Sequence, residues 1–360
     1  MPADQIARLR LIRSGSIGPV TYAQLLARFG SAEAALAAIP DLAARGGGRP
    51  PRLASAGEVA REMAEVSRLG ARYLFLGDAD YPSLLAEAES APPALIVKGD
   101  LALLDRQAVA IVGARNASAA ACRFARGLAK ALGEAGLLVV SGLARGIDSA
   151  AHDGALATGT AAVIAGGIDI VYPPENEDRQ RAVAGQGLLI AEMPPGTEPR
   201  ARHFPWRNRI IAGLATGTVV IEAAPKSGSL ITARRAADYG REVMAVPGSP
   251  HDPRAQGCNL LIREGATLIQ DAEDVLEAIR PGAIARPRRT SPLRDATIPS
   301  AEADDADRAA LAGLLGPTPV VVDELIRQSG LAPALVPTIL LELELAGRLE
   351  RHAGGKVSLP

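Results

Sequence analysis

The chain predicts an α/β fold: a doubly wound, mainly parallel sheet at residues 71–281, preceded by a small helical domain (1–70). A linker (282–306) and a second small domain (307–360) follow. Three observations carry this. Short runs of Val, Ile, Leu and Ala alternate with helix-length segments through the centre, the pattern of parallel strands covered on both faces. Each run ends in a glycine, serine or charged loop, as loops at the carboxyl edge of such a sheet do. The flanks carry mostly helical periodicity instead.

Length and charge narrow the function classes. At 360 residues, 48% of them hydrophobic, the chain has ample material for a large core. Its net charge of -1 gives no global field for nucleic acid, so such a site has to be a local patch. Aromatics at 3% exclude a surface paved with stacking rings. Two distant cysteines, Cys122 and Cys258, make neither a disulfide framework nor a zinc pattern and fit a reducing compartment. Met1 to Arg13 is polar and basic, unlike a signal peptide, and no apolar run is long enough to span a bilayer. The expectation is a cytoplasmic protein with no metal, no cofactor and no membrane partner.

Taken in order, Ile6 to Ile12 has helical spacing, and Ile17-Gly18-Pro19 opens a helix through Leu25 and Leu26. This resembles a helix-hairpin-helix of the sterile-alpha-motif-like kind. It lacks a dense basic face, so packing is favoured over DNA contact. Ala43 to Pro51 (AARGGGRPP) reads as a flexible break. Glu58 to Leu69 is helical, and strands follow at Ala71–Leu76 and Ala94–Lys98. The sheet then continues with Val109–Val112, Leu137–Val140, Ala161–Ala165, Leu188–Ala191, Thr218–Ile221 and Glu242–Val246. Helices are expected at Ala119–Leu132, from Asp148, and at Leu230–Tyr239.

The most informative stretch is VVSGLARGIDSAAHDGA, Val139 to Ala155. A strand, a glycine loop and a helix start together make an anion site, because free N–H groups and a helix dipole converge there. Gly142 and Gly146 permit sharp turns and close approach, Ser141 adds a hydroxyl and Arg145 a charge. Asp148 is a candidate N-cap. The loops at the carboxyl edge should bring together Gly113, Arg115, Ser141, Gly142, Gly166, Gly167, Ser227, Gly228 and Ser229. A second stretch, PPGTEPRARHFPWRNRIIAGL, packs Arg200, Arg202, Arg207 and Arg209 around Phe204 and Trp206. Cations among aromatics suit a phosphate backbone with unstacked bases. The competing reading buries the aromatics and pairs the arginines with Glu192 and Glu222. Asn208 can bond a base edge or cap a helix.

Catalytic groups are sparse. Asp148 and His152 could form a base and its orienter, but His152 is more plainly a packing residue. Asp169 and Glu222 could bind a metal or ribose, or orient arginines. Gly113-Ala114-Arg115 lacks the dinucleotide fingerprint G-x-G-x-x-G, so a nicotinamide enzyme has no support from the site.

The runs IVGARNAS, VVSGLARGIDSAAHDGAL, AGGIDIVYPPEN, FPWRNRIIAGL, SGSLITARRAADYG and GCNLLIREGA, in this order, resemble the DNA-processing protein A family (DprA/Smf) from about Pro93 to Asp274. The resemblance implies an extended Rossmann-like domain that binds single-stranded DNA, helps load RecA, serves natural transformation and dimerises through that domain. It also implies roles. Arg115 would be the first backbone contact, and Ser141 and Gly142 the phosphate-cradling turn. Arg207, Asn208 and Arg209 would line the groove, with Ser227, Gly228 and Ser229 as its far wall. The alternative is a nucleotide-binding or nucleotide-hydrolysing Rossmann-like enzyme. That family's PGGxGTxxE loop is absent, and SGSLITARRA offers no carboxylate as base.

After a Pro-containing, charged linker, three helical stretches (Asp307–Leu315, Val322–Ser329, Ala334–Ala346) and the hairpin RLERHAGGKVSL, with its turn at Ala353-Gly354-Gly355, read as a winged helix. Its third helix carries Glu342 and Glu344 and no cation before Arg348, which favours protein contact or dimer capping over DNA reading.

Overall fold

The computed structural model describes residues 3–280, 303–352 and 354–360. Residues 282–302 of the expected linker (282–306) and the turn residue Ala353 lie outside the described residues. Contacts divide the chain into two compact units: the described residues up to Arg61 together with those from Ala303 on, and the described residues from Glu62 to Arg280.

The first unit begins with α1 (Ala3–Arg13), α2 (Pro19–Phe29) and α3 (Ala32–Arg45). Pro19 opens α2, where its missing N–H costs nothing, and Gly30 closes it in the left-handed region. The Ser31 hydroxyl caps α3. The turn after α1 is closed by the chain itself: the Gly15 N–H donates to the Arg52 carbonyl, and the Ser14 hydroxyl accepts from Ala54 N–H. Next comes α4 (Ala56–Arg68), whose residues up to Arg61 belong to this unit and whose residues from Glu62 on belong to the second.

The second unit holds β1 (Arg72–Phe75), α5 (Ser83–Ala86), β2 (Ala94–Gly99), β3 (Ala108–Gly113), α6 (Ala119–Glu134), β4 (Leu138–Ser141), α7 (Ile147–Ala155) and β5 (Thr160–Gly167). It continues with α8 (Glu177–Gln186), β6 (Leu188–Met193), α9 (His203–Leu214), β7 (Gly217–Ile221), α10 (Gly228–Asp238), β8 (Glu242–Ala245), α11 (Gln256–Arg263), β9 (Thr267–Leu268) and α12 (Ala272–Ala278). The strand order is β1-β2-β6-β5-β4-β3-β7-β8-β9; β2 pairs antiparallel with β1 and β6, and every other pairing is parallel. The order turns back between β3 and β7, the switch point of a doubly wound sheet.

Strand alternation builds a core on each face. Ala108, Ala110 and Val112 of β3 pack with Ile210, Ile211 and Leu230, from α9 and α10. Val109 and Ile111 face the other way, onto Ala125, Leu128, Ile147 and Ala151 of α6 and α7. A helix layer on both faces explains why β3, β4 and β5 are mostly apolar and buried almost throughout, with Ser141 and Thr160 as polar ends.

The first unit resumes with α13 (Asp305–Gly313), β10 (Val320–Val321), α14 (Val322–Ser329), α15 (Leu335–Leu345), β11 (Glu350–His352) and β12 (Lys356–Ser358). The helix α13 starts inside the expected linker because Asp304 and Asp307 form a capping box there. The three helices and the β10-β12-β11 sheet make the expected winged helix. Leu341 and Leu345 of α15 join the core of α1–α3, which also holds Leu11, Tyr22, Leu25 and Ile39. The expected flexible break at Ala43 to Pro51 is therefore corrected. Its glycines are packing positions: a Cβ on Gly46 would stand 2.2 Å from the Glu342 carbonyl oxygen, and one on Gly48 2.3 Å from that of Ala346.

Among the described residues, no helix is long and apolar enough to cross a membrane.

Candidate nucleic-acid interface

The loops after β3, β4, β5 and β7 meet the start of α9 at the carboxyl edge of the sheet. Two adjoining cavities open there. One, of about 340 Å³, is lined by Arg115, Gly142, Arg145, Gly166, Tyr172, Phe204 and Arg207, among others. The other, of about 580 Å³, lies at the switch point between Gly113–Asn116 and Ala224–Ser229, with Asn208 on its wall. Arg115, Asn116, Ala144, Phe204 and Arg207 border both.

Arg115 is exposed, and its guanidinium carbon sits 5.1 Å from the centre of the Phe204 ring. A cation on an aromatic face is held without being neutralised. Phe204 is tilted against Tyr172, which is 47% exposed, and His203 stacks on Trp206, which is 45% exposed. The reading that buries Phe204 and Trp206 in the core is thus corrected for Trp206. The first turn of α9 leaves this ring in solvent while Ile210 and Ile211, a turn further on, enter the core. Desolvation, with Arg202 and Arg200 nearby, holds His203 below the usual imidazole range.

Arg207 is buried and cationic. Its Nη1 donates to the Val163 carbonyl at 3.2 Å and lies 4.0 Å from the Asp148 carboxylate, while its Nε has no partner among the described residues. Desolvation lowers its pKa to about 10, so it stays charged at neutral pH. The same desolvation pushes Asp148 up. Gly142 makes room for this arrangement: a Cβ there would stand 1.4 Å from Arg207 Nη1.

The geometry corrects several expectations for the loop after β4. Asp148 does not cap α7. Gly146, at φ +72°, holds the cap position, and the Asp148 carboxylate reaches back to accept from the N–H groups of Gly142 (3.1 Å) and Ala144 (3.3 Å). The amides read as a phosphate cradle therefore hold the protein's own carboxylate. The Ser141 hydroxyl is buried and donates to the Ile111 carbonyl at 2.6 Å, so it braces β4 against β3. Gly146 lines neither cavity; the space of its Cβ is taken by the Ala114 carbonyl oxygen, 2.3 Å away. Gly167 is spent in the β5–β6 ladder and in a bond from its N–H to Thr197.

The basic stretch also divides. Arg209 is buried away from both cavities, bonding the Ser90 carbonyl and the Glu192 carboxylate, the pairing that the competing reading gave it. Arg202, at the helix cap, is exposed. Arg145 lines the smaller cavity and pairs with Glu175 at the surface. Asn208 lies inside α9, not at its cap, and its amide donates to the Gly228 carbonyl at 3.2 Å, tying α9 to α10. Ser227 caps α10, with its hydroxyl 2.8 Å from that of Ser229. Glu222 binds Ser118 rather than an arginine, and Asp169 binds the Gly196 N–H.

Sequence reading passed over Tyr172 and Lys226. Lys226 is an exposed cation at φ +69° beside Ser227. The proline-rich run around Tyr172 and the loop after β7 were the available signals.

Asp148 and His152 do not pair as a base and its orienter: the Asp148 carboxylate is bonded by the Gly142 and Ala144 amides. His152 is fully buried, 2.8 Å from the Thr160 hydroxyl, and desolvation lowers its pKa to about 3. Among the described residues, no cluster of His, Cys, Asp or Glu could hold a metal ion.

Comparison with known proteins agrees with this architecture. Residues 72–280 match the family model for DNA recombination-mediator protein A, residues 2–64 a DprA-like N-terminal HHH domain, and residues 295–355 a DprA winged helix domain. The DNA processing protein DprA of Streptococcus pneumoniae is 46% identical over 198 residues, covering 54% of this chain and 70% of that protein. An X-ray structure of the Streptococcus pneumoniae protein superposes with a TM-score of 0.58 at 41% identity, covering 62% of this chain and 77% of that one. A structure of Helicobacter pylori DNA processing protein A, concerned with that protein's single-stranded DNA binding mode, superposes with a TM-score of 0.52 at 29% identity, covering 57% of this chain and 94% of that one. With three family models matching in order, the first of them over more than half of its length, the chain belongs to the DNA recombination-mediator protein A family, the DprA/Smf proteins.

Proposed function

We propose that this chain binds single-stranded DNA across the two joined cavities and acts as a non-enzymatic recombination mediator, loading RecA onto the strand during natural transformation. The observation that carries the binding reading is Arg115, an exposed guanidinium on the Phe204 ring at the border of both cavities. Around it stand Arg145, Lys226 and the buried cation Arg207, with Arg202 at the cap of α9. The strand's phosphates pair with the exposed cations, and its bases stack on Tyr172, Phe204 and Trp206. A duplex keeps its bases stacked inside, so the aromatic rings reward a single strand. RecA as partner, homodimerisation through the Rossmann-like domain and a cytoplasmic location belong to the same proposal, and family membership is what supports them. The reading needs no catalytic step and no cofactor, in keeping with a sealed His152 and an Asp148 engaged by loop amides.

Fluorescence anisotropy of a labelled strand against its duplex, titrated at several salt concentrations, tests this. Tight, salt-sensitive binding to the single strand in preference to the duplex is the expected result. Binding to neither overturns the reading and makes nucleotides the next ligands to screen.

A further inference from the structure

In a winged helix, the second helix of the helix-turn-helix is the element that enters the major groove. Here that helix is α15, which follows α14. Its sequence, LVPTILLELEL, is apolar nearly all round, and a helix of that kind is covered on more than one side. Both covers are visible. Val336, Ile339, Leu340 and Leu343 pack into the core of the winged helix itself. Leu341 and Leu345, one turn apart on another face, pack with α1–α3.

The second contact is close at the backbone. Gly46 and Gly48, just after α3, lie so near the Glu342 and Ala346 carbonyls that neither position has room for a side chain. Polar contacts surround it: the Arg348 guanidinium donates to the Gly46 carbonyl at 3.2 Å, and that of Arg351 to the Gln24 amide oxygen at 3.3 Å. The chemistry of α15 points the same way. Its only charges are Glu342, 1% exposed and bonded by Arg308, and Glu344, bonded by Arg351. No cation faces outward from it to meet a phosphate.

We propose that the major-groove helix of this winged helix is a protein-docking surface, that its partner is the chain's own N-terminal helical domain, and that it does not read duplex DNA. Two segments separated by more than half the chain thereby close into one unit. The inference stands apart from the single-strand reading, which concerns the other unit.

The test uses the full chain carrying Cys122→Ala, with Gln24→Cys and Arg351→Cys bridged by a short bismaleimide; Cys258 is buried. The proposal expects the bridge to form within one molecule, and the bridged protein to bind a duplex oligonucleotide as the same variant capped with a monofunctional maleimide does, a ratio of one. Failure to bridge while both thiols react with the monofunctional reagent shows that the two segments are apart in solution and overturns the proposal. A bridged protein whose duplex affinity falls, on the order of tenfold for a lost reading helix, overturns it equally: α15 then reads DNA from an opened form.

Discussion

Arg207 and Arg209 stand two positions apart on α9, about 200° around the helix, and so face different surroundings. Arg207 borders both cavities; Arg209 is sealed against Glu192 and the Ser90 carbonyl. Arg209→Ala leaves a mostly buried carboxylate without its cation. The expected cost is roughly 3–5 kcal/mol of stability, read by urea unfolding, with the strand affinity of the folded protein unchanged. The arginine cluster was visible in the sequence, but which member faces inward depends on the register of α9, and Glu192 lies 17 residues away. His152 gives a second residue-level prediction. Its folded pKa, about 3, lies below the ordinary 6.5, so between those values the unfolded chain binds the extra proton. Stability is therefore lost as pH falls through this window, by up to ~1.4 kcal/mol per pH unit. Asp148, whose folded pKa is raised, works in the opposite direction just above its ordinary value of 3.8. Unfolding free energies of wild type and His152→Gln, measured from pH 7 to pH 4, should diverge in slope below pH 6.5.

At the scale of elements, the strands were legible because a buried parallel strand is an unbroken apolar run that stops at its loop. The run Val109–Val112 became β3, longer by one residue at each end. The helix after β4 was legible too, but its cap was not. Sequence placed Asp148 at the N-terminus by type, whereas the carboxylate folds back across six residues to the Gly142 amide, a contact no periodicity encodes. The glycines of this loop were read as room for a ligand. Gly142 is room for Arg207 instead. Gly142→Ala should therefore displace the guanidinium, costing about 1–3 kcal/mol of stability as an overpacked site and weakening strand binding as well. Differential scanning calorimetry and the anisotropy titration check the two effects. The glycines after α3 follow the same logic, since their small size serves a helix some 300 residues later in the chain.

At the scale of the whole molecule, the sequence showed three kinds of region in order but not that the first and last close into one unit. Nothing local in residues 3–61 points to Leu341 and Leu345, which complete their core. Leu345→Ala should destabilise this unit by about 2–5 kcal/mol, seen as a lower unfolding midpoint for it while the central unit unfolds as before. Net charge was similarly uninformative: a total of -1 conceals the cations gathered at one edge of the sheet. The central claim is that a strand's phosphate backbone passes over Arg115 at the border of the two cavities. The most direct measurement is the salt dependence of single-strand affinity for wild type and Arg115→Ala, both with the same unfolding midpoint because the side chain is exposed. Loss of one phosphate contact should make the slope of log K against log salt shallower by about 0.7. Parallel slopes with equal affinity would contradict the account and place the strand elsewhere on the protein.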